Sequence, residues 1–496
     1  MKALVACPLH LLEVDLDTHA VRRVESHRPE YYGVSWSHAG DRLILSHSGL
    51  NNEKMASLES YMDSEVGFLS TNGVAGAIGL SQPHQIVCTE QHVIATNTGR
   101  NSLTVFRQDD GFYKNIWIED AKWDRKGKEN CCGSHLNSVF LKDDQLFVLA
   151  HNFDRGSDVI ILSWPDLQLI KRWKTKSLQA HNVWVTATDQ VLVCDTMRGT
   201  LLDAVSNKVL WSCDEPTAMT RGLACDGKYV YIGRSEQSDR RGRTESDGGI
   251  WIVDRKSWKT QDYIHLPGVG NVMEVRLLDV PDECHHQRPF TGKYDTTPLQ
   301  LGQTNASVVH RCEVDATQAD WSEHLAPMTL RSDAMLIAPQ SALATKRRLC
   351  LADVSVSAKV DVTDANARHA GVVARYRGPG ETNMLNAMLH KEGPYVAVEL
   401  WLHHAGKWER LGIQPANTLQ GELTLVCCGE NVKVLFDGNT LIEAQCQALG
   451  NGSVGIRTSG GAVGSFQCQD LTIPQRGKSD IFRRLGIPHA TFRRFA

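Results

Sequence analysis

Helical periodicity is nearly absent from this chain, and so is any long apolar run. No stretch approaches the roughly 18 consecutive apolar residues of a membrane span, which argues against a transmembrane helix. Charge of one sign is lacking too. The 53 basic and 57 acidic residues nearly balance, so no basic field points to nucleic acid as a partner. There is no G-x-S-x-G elbow, no phosphate-binding P-loop and no H-E-x-x-H, which removes the commonest signposts of hydrolase, nucleotide and zinc-protease chemistry. The fourteen cysteines include no C-x-x-C pair. Cys131-Cys132 and Cys427-Cys428 are adjacent, the wrong spacing for a zinc knuckle or redox motif. Cys88, Cys194 and Cys225 lie inside apolar strand-like runs, where a reduced thiol behaves as a small hydrophobe. The opening MKALVACPLHLLEVDLD has too short an apolar region for a secretory signal. Reduced thiols and no leader give the expectation of a cytoplasmic protein.

At 496 residues the chain exceeds what one core supports, so two or more domains are expected. Most segments are short apolar alternations broken by Gly, Asp and Asn, the pattern of an all-β protein. One unit repeats. PHQIVCTEQHVIATNTGRNSLTVF from Pro83 reads as three strands joined by tight turns. The same grammar recurs from Tyr32, Asn137, His181 and Arg221, at spacings of about 40 to 53 residues, as expected for four-stranded propeller blades. A sixth inner strand, NVMEVRLLD from Asn271, has no strands after it. The N-terminal runs ALVACP and HLLEVDLDTHAVRRV supply them, so the N-terminus is expected to close the last blade. From about Val280 the sequence turns polar, and alternation returns beyond Ala326. The expected organisation is a six-bladed β-propeller at 1–280, a linker at 281–326, a jelly-roll β-sandwich at 327–474 and a tail at 475–496.

The repeat beginning at Pro83 resembles the NHL-type propeller unit. The stretch RGLACDGKYVYIGRSEQ, its Arg-containing loop and the later VMEVR resemble a widespread bacterial propeller family without an established reaction. The residues matching that motif are Arg221, Gly233, Ser235, Arg240, Glu274 and Arg276. AGVVARYRGPG, VLFDG and GSVGIR resemble the laminin-G or concanavalin-like sandwich, which implies a fold and leaves function open.

In a propeller the first residues of each inner strand face the channel mouth. Aligned blade starts place Tyr32, His84, Asn137, His181 and Arg221 there, with His135 competing for the third position and Asn271 or Glu274 for the sixth. Two chemistries fit these groups. His84, His135 and His181 would hold a divalent transition metal such as zinc, iron or copper. Alternatively, Arg221 clamps a carboxylate, sulfate or phosphate, with histidine as proton acceptor and Tyr32 as donor. Glu274 and Arg276 lie on one side of a strand and pair either with Arg221 or with each other. Arg240, Arg241 and Arg243 make either an anion clamp or a solvated loop. His285-His286 and His403-His404 lack metal-site surroundings, and the Asn305 glycosylation triplet stands without a secretory signal.

The sequence therefore points to a small polar or anionic, sugar-derived ligand at the channel mouth, with lyase or hydrolase chemistry as its catalytic form. The catalytic set is His84, His181, Arg221 and Tyr32; the binding set is Asn137, Glu274, Arg276 and Arg240. The alternative is a non-catalytic protein that recognises a glycan or protein through its propeller rim and sandwich. A glycan site on the sandwich would require Trp401 or Trp408 on an exposed face. The tail RGKSDIFRRLGIPHATFRRFA, with six basic residues among Phe, Ile and Leu, docks back onto the protein or onto a partner.

Overall fold

The computed structural model describes residues 1–26, 30–48, 57–61, 68–70, 80–108, 112–118, 134–213, 215–237, 242–280, 289–299, 301, 310–311, 321–347 and 349–471. Arg240, Arg241, His285, His286, Asn305, Cys131, Cys132 and the tail lie outside them. Among the described residues there is no α-helix, and no helix is long and apolar enough to cross a membrane.

Residues 1–280 form six antiparallel sheets. Five are consecutive four-stranded blades whose inner strands are Tyr31–Trp36, Pro83–Cys88, Leu136–Lys142, His181–Val185 and Ala218–Cys225. The sixth takes its inner strand, Glu274–Leu277, from the end of the propeller and its outer strands from the N-terminus: Lys2–Ala6, His10–Asp15 and Val21–Ser26. The N-terminus therefore closes the ring. Closure leaves no open edge between first and last blades.

Each inner strand crowds the next around the axis, and side chains of one blade satisfy backbone N–H groups of its neighbour. The Cys88 N–H donates to Ser35 Oγ at 3.1 Å, Val139 N–H to Gln85 Oε1 at 3.0 Å and Val183 N–H to Ser138 Oγ at 2.8 Å. Gly222 N–H donates to Asn182 Oδ1 at 2.7 Å, and Val272 N–H to Ser235 Oγ at 3.0 Å. Each bond joins two consecutive blades, so the polar residues Gln85, Ser138 and Asn182 replace the ladder that inner strands cannot make with one another. Gly233 and Ser235 also find their explanation here. A Cβ at Gly233 would overlap the Arg221 carbonyl and the Val272 side chain, so only glycine lets blades five and six approach this closely.

Residues 289–299 run back along the propeller. Phe290 packs near Trp36, Tyr294 O–H donates to Glu13 at 2.7 Å, and Thr297–Pro298 pairs with Arg22 and Arg23. Beyond them two large antiparallel sheets face each other across one apolar core that includes Val356, Val372, Leu400, Leu425 and Phe466. One of these sheets begins with Trp321–Glu323, paired to Ala342–Lys346. The described residues are thus all-β, a propeller followed by a jelly-roll sandwich.

Candidate functional site

The first residues of the inner strands do not lie flat in their sheets. Register slips between Tyr31 and Val34, Pro83 and Ile86, Leu136 and Ser138, His181 and Val183, and Thr220 and Leu223. These are bulges at the same place in five consecutive blades. A bulge breaks pairing and re-aims a side chain, and here the residues at or beside them are Tyr32, His84, Asn137, His181 and Arg221. Left-handed backbone at Gln82, His135, Gln179 and Asn182 completes the distortion, with φ of 48°, 50°, 53° and 53°. All five blades thus bulge at one end of the channel, and blades two, three and four add strained backbone there.

The side chains converge. The Tyr32 and His84 rings stack with centroids 3.7 Å apart, and the Arg221 guanidinium lies 5.0 Å from the Tyr32 centroid. From His84 a row of imidazoles continues through His135 (5.5 Å), His151 (4.7 Å) and His181 (5.1 Å). Phe153 backs His135 and His151, with centroids 5.2 Å from both. His84, His151, His181 and Arg221 are all nearly buried.

Hydrogen bonds fix the tautomers of three of these rings. His84 Nδ1 lies 2.9 Å from the Gln82 carbonyl, and His181 Nδ1 lies 2.9 Å from the Gln179 carbonyl. A carbonyl only accepts, so each Nδ1 carries the proton and each Nε2 offers a lone pair. His151 is the opposite case. Its Nδ1 accepts the Phe153 N–H at 3.1 Å, which places the proton of the neutral ring on Nε2. The mouth therefore presents imidazole acceptors from two blades and a donor from a third.

All four imidazoles are held neutral. Burial depresses them first, and mutual repulsion and Arg243 add to it: His135 falls to about 4 and His181 to about 3, while His84 and His151 lie well below the usual value. Arg221 is pulled down to about 9 by burial and then by Arg243, with Glu30 acting the other way, so it is cationic at neutral pH. Among the described residues, the Tyr32 hydroxyl, Arg221 Nε and Arg243 Nε are buried atoms without a hydrogen-bond partner. The buried Arg221 and the half-buried Arg243 thus stand near one another beside neutral imidazoles, with Glu30 offsetting part of the charge at Arg221.

The other expected site residues are engaged inside the protein or lie outside the described residues. Asn137 Nδ2 donates to the Ala180 carbonyl at 2.9 Å, while its Oδ1 is buried without a partner. Glu274 and Arg276 are fully buried, pair with each other, and are tied to Gln85 and the Leu223 carbonyl. That is an internal ion pair one step further along the inner strands, not a surface offered to ligand. Arg240 lies outside the described residues. The expected metal set of His84, His135 and His181 does not fit this geometry. Arg243 stands close enough to lower His135 and His181, and a cation there repels a metal ion. Among the described residues, no group of three or more His, Cys, Asp or Glu is placed to hold a metal ion.

Two residues at the mouth, His151 and Arg243, escape an alignment of inner strands alone. Both lie in connections between the second and third strands of their blades, which return to the same end of the channel. A signal for this exists. ATNTGR, LAHNFDRG and VCDTMRG all end a second strand and enter a short 3₁₀ turn, and turn residues 242–244 occupy the same position in blade five.

In the sandwich, His403 and His404 end a hairpin strand. Trp401 and Trp408 lie 6.2 Å apart, and Trp408 is 40% exposed. Arg410 and Arg457 cover their rings at 5.4 Å each.

No protein-family model matches the chain, and no curated protein matches it. Solved structures resemble parts of it. A carbohydrate-binding module, CBM66 from Bacillus subtilis, is 11% identical over 30% of this chain and 92% of its own, with a TM-score of 0.26. The GH43 protein BlXynB from Bacillus licheniformis is 12% identical, covering 78% of this chain and 96% of its own, at 0.28. A nidogen/laminin complex is 11% identical over 55% and 97%, at 0.42. Likenesses this distant say nothing of activity.

Proposed function

We propose that the channel mouth binds a small hydroxylated anion, of which a sugar acid is the type. The observation that carries this reading is the pairing of Arg221 and Arg243, each with a buried Nε lacking a partner, beside imidazoles fixed in opposite tautomers. Two neighbouring guanidiniums, only one of them offset by a carboxylate (Glu30), favour an anion that bonds both. The Nε2 lone pairs of His84 and His181 need donors in return. Hydroxyl groups supply them, whereas a bare inorganic anion does not. Arg221, Arg243 and the His151 Nε2–H would take the carboxylate; His84, His181 and Tyr32 would take the hydroxyls.

The catalytic form of this reading is a lyase or hydrolase step in which His84 accepts a proton and Tyr32 returns one. An imidazole whose conjugate acid lies this low is a weak base, so such a step depends on the bound anion raising it. The NHL-like kinship and a cytoplasmic location belong to the same proposal.

Calorimetric titration with D-gluconate, D-sorbitol and sulfate tests it. Gluconate is expected to bind more tightly than sulfate, and sorbitol not to bind. Equal affinity for sorbitol and gluconate would remove the anion site, and binding of neither gluconate nor sulfate at millimolar concentration would end the proposal.

A further inference from the structure

The sandwich does more than follow the propeller in sequence. Its first strand, Trp321–Glu323, and Arg347, just past the strand Ala342–Lys346, contact blade five. Ser322 Oγ donates to Glu236 Oε2 at 2.8 Å, and Arg347 donates to Glu236 Oε1 at 2.7 Å. Thr217 Oγ1 donates to the Glu323 carbonyl, and His324 Nδ1 meets Glu215 Oε1 at 3.0 Å. Glu215 in turn takes Arg234 Nε at 2.8 Å and Nη2 at 3.1 Å.

These contacts converge on the two feet of one connection. Glu236 ends the second strand of blade five, and Asp247 immediately precedes the third. The Asp247 N–H reaches Glu236 Oε2 at 3.4 Å, and its carbonyl accepts Arg234 Nη1 at 2.7 Å. Between the feet stands the turn that carries Arg243. Ser246 N–H closes it on the Gly242 carbonyl at 2.9 Å, and Asn271 N–H holds the Arg243 carbonyl at 3.0 Å.

We propose that the sandwich is a positioning element for the channel mouth: Arg347 and Ser322, acting through Glu236 and its contact with the Asp247 N–H, brace the 242–247 turn that aims Arg243 at the ligand. The inference rests on the anion-binding reading, yet half of its test needs no ligand. Glu236 is nearly buried, as is Ser322. Removing the cation that Glu236 holds leaves a desolvated carboxylate with too few donors, and the simplest relief is for that end of the connection to move toward water. Arg243 would then withdraw from the imidazoles. Arg347 touches no ligand in this account. It is a positioning residue.

The test compares wild type, Arg347→Met and Arg347→Lys as full-length proteins, by hydrogen exchange across residues 242–247 and by gluconate titration. Arg347→Met is expected to exchange the Glu245 and Ser246 amides at least tenfold faster and to bind gluconate about tenfold more weakly. Arg347→Lys, which keeps a donor to Glu236, is expected to recover most of both. If Arg347→Met fails to fold, Ser322→Ala removes one bond to the same carboxylate and is expected to shift both readouts in the same direction. Unchanged exchange at 242–247 overturns the proposal, as does faster exchange with gluconate affinity unaltered. Faster exchange in a protein whose wild type binds no gluconate leaves the clamp standing and removes the anion reading instead.

Discussion

At the scale of single residues, the mouth is defined by protonation states that burial enforces. His135 and His181 titrate at about 4 and about 3 in the folded chain, against an ordinary value of 6.5. A depressed histidine contributes stability that is complete above its unfolded value and is lost as pH falls toward its folded one. Stability is therefore expected to decline from about pH 6.5 to 4, by up to roughly 1.4 kcal/mol per pH unit for each such histidine. Urea unfolding across that range checks this, and His135→Gln is expected to flatten the slope. An unchanged slope would mean that the ring is solvated. The same linkage acts on ligand. An anion beside these imidazoles raises them, so binding takes up protons and gluconate affinity is expected to increase between pH 7 and 5. A pH-independent affinity over that interval would place the anion away from the histidines.

Tyr32, His84, Asn137 and His181 were legible as inner-strand residues because each stands first or second in the inner strand of a repeating unit, and Arg221 because it stands fourth in its own. What the sequence hid was their partnership. Glu274 and Arg276 alternate correctly for a shared face, but no pattern of alternation says that this face is closed by Gln85 and Trp184. His151 was hidden for a different reason, and Arg243 was open between an anion clamp and a solvated loop for the same one. They come to the mouth on turns, where no strand period marks which way a side chain faces.

At the scale of elements, the bulges and the interblade bonds belong together. An inner strand that bulges to present a side chain loses pairing with its second strand, and the neighbouring blade supplies substitute acceptors. Ser138 shows the economy of this. Its hydroxyl donates to Gln85 Oε1 and accepts the Val183 N–H, tying blades two, three and four. Ser138→Ala leaves a buried N–H and an amide oxygen short of partners, and is expected to cost about 1–3 kcal/mol. Gly233→Ala is expected to be worse than an ordinary core overpacking of roughly 1–3 kcal/mol, because the atom it meets is the Arg221 carbonyl itself. Both are measured by thermal unfolding. Weakened gluconate binding in Gly233→Ala, beyond what lost stability explains, would show that the bulge positions Arg221.

At the scale of the whole molecule, the six blades and the closing N-terminal strands were read from repeats, and the sandwich from a change in alternation. The way the two parts meet was not. Trp321–Glu323 falls in a stretch that reads as polar linker, and three residues are too few to announce a strand. Yet this strand brings Ser322 and His324 onto blade five. Burial pushes Glu215 up, but Arg234 and His324 outweigh it and hold the carboxylate well below its usual range. Glu215→Gln removes the charge that compensates a buried guanidinium. It is expected to destabilise the protein by about 3–5 kcal/mol, seen as an early unfolding transition by calorimetry. A loss below 1 kcal/mol would mean that the two parts are held chiefly by other contacts.

The central claim is that two cations at the propeller axis recognise an anion. Titrating gluconate at pH 7.5 into wild type and into the Arg221→Gln/Arg243→Gln double variant tests it most directly. A charged hydrogen bond contributes about 1.5–3 kcal/mol, so the expected result is measurable binding in wild type and a loss of at least a hundredfold in the variant. Equal affinity in the two proteins, with the variant folded, would contradict the account.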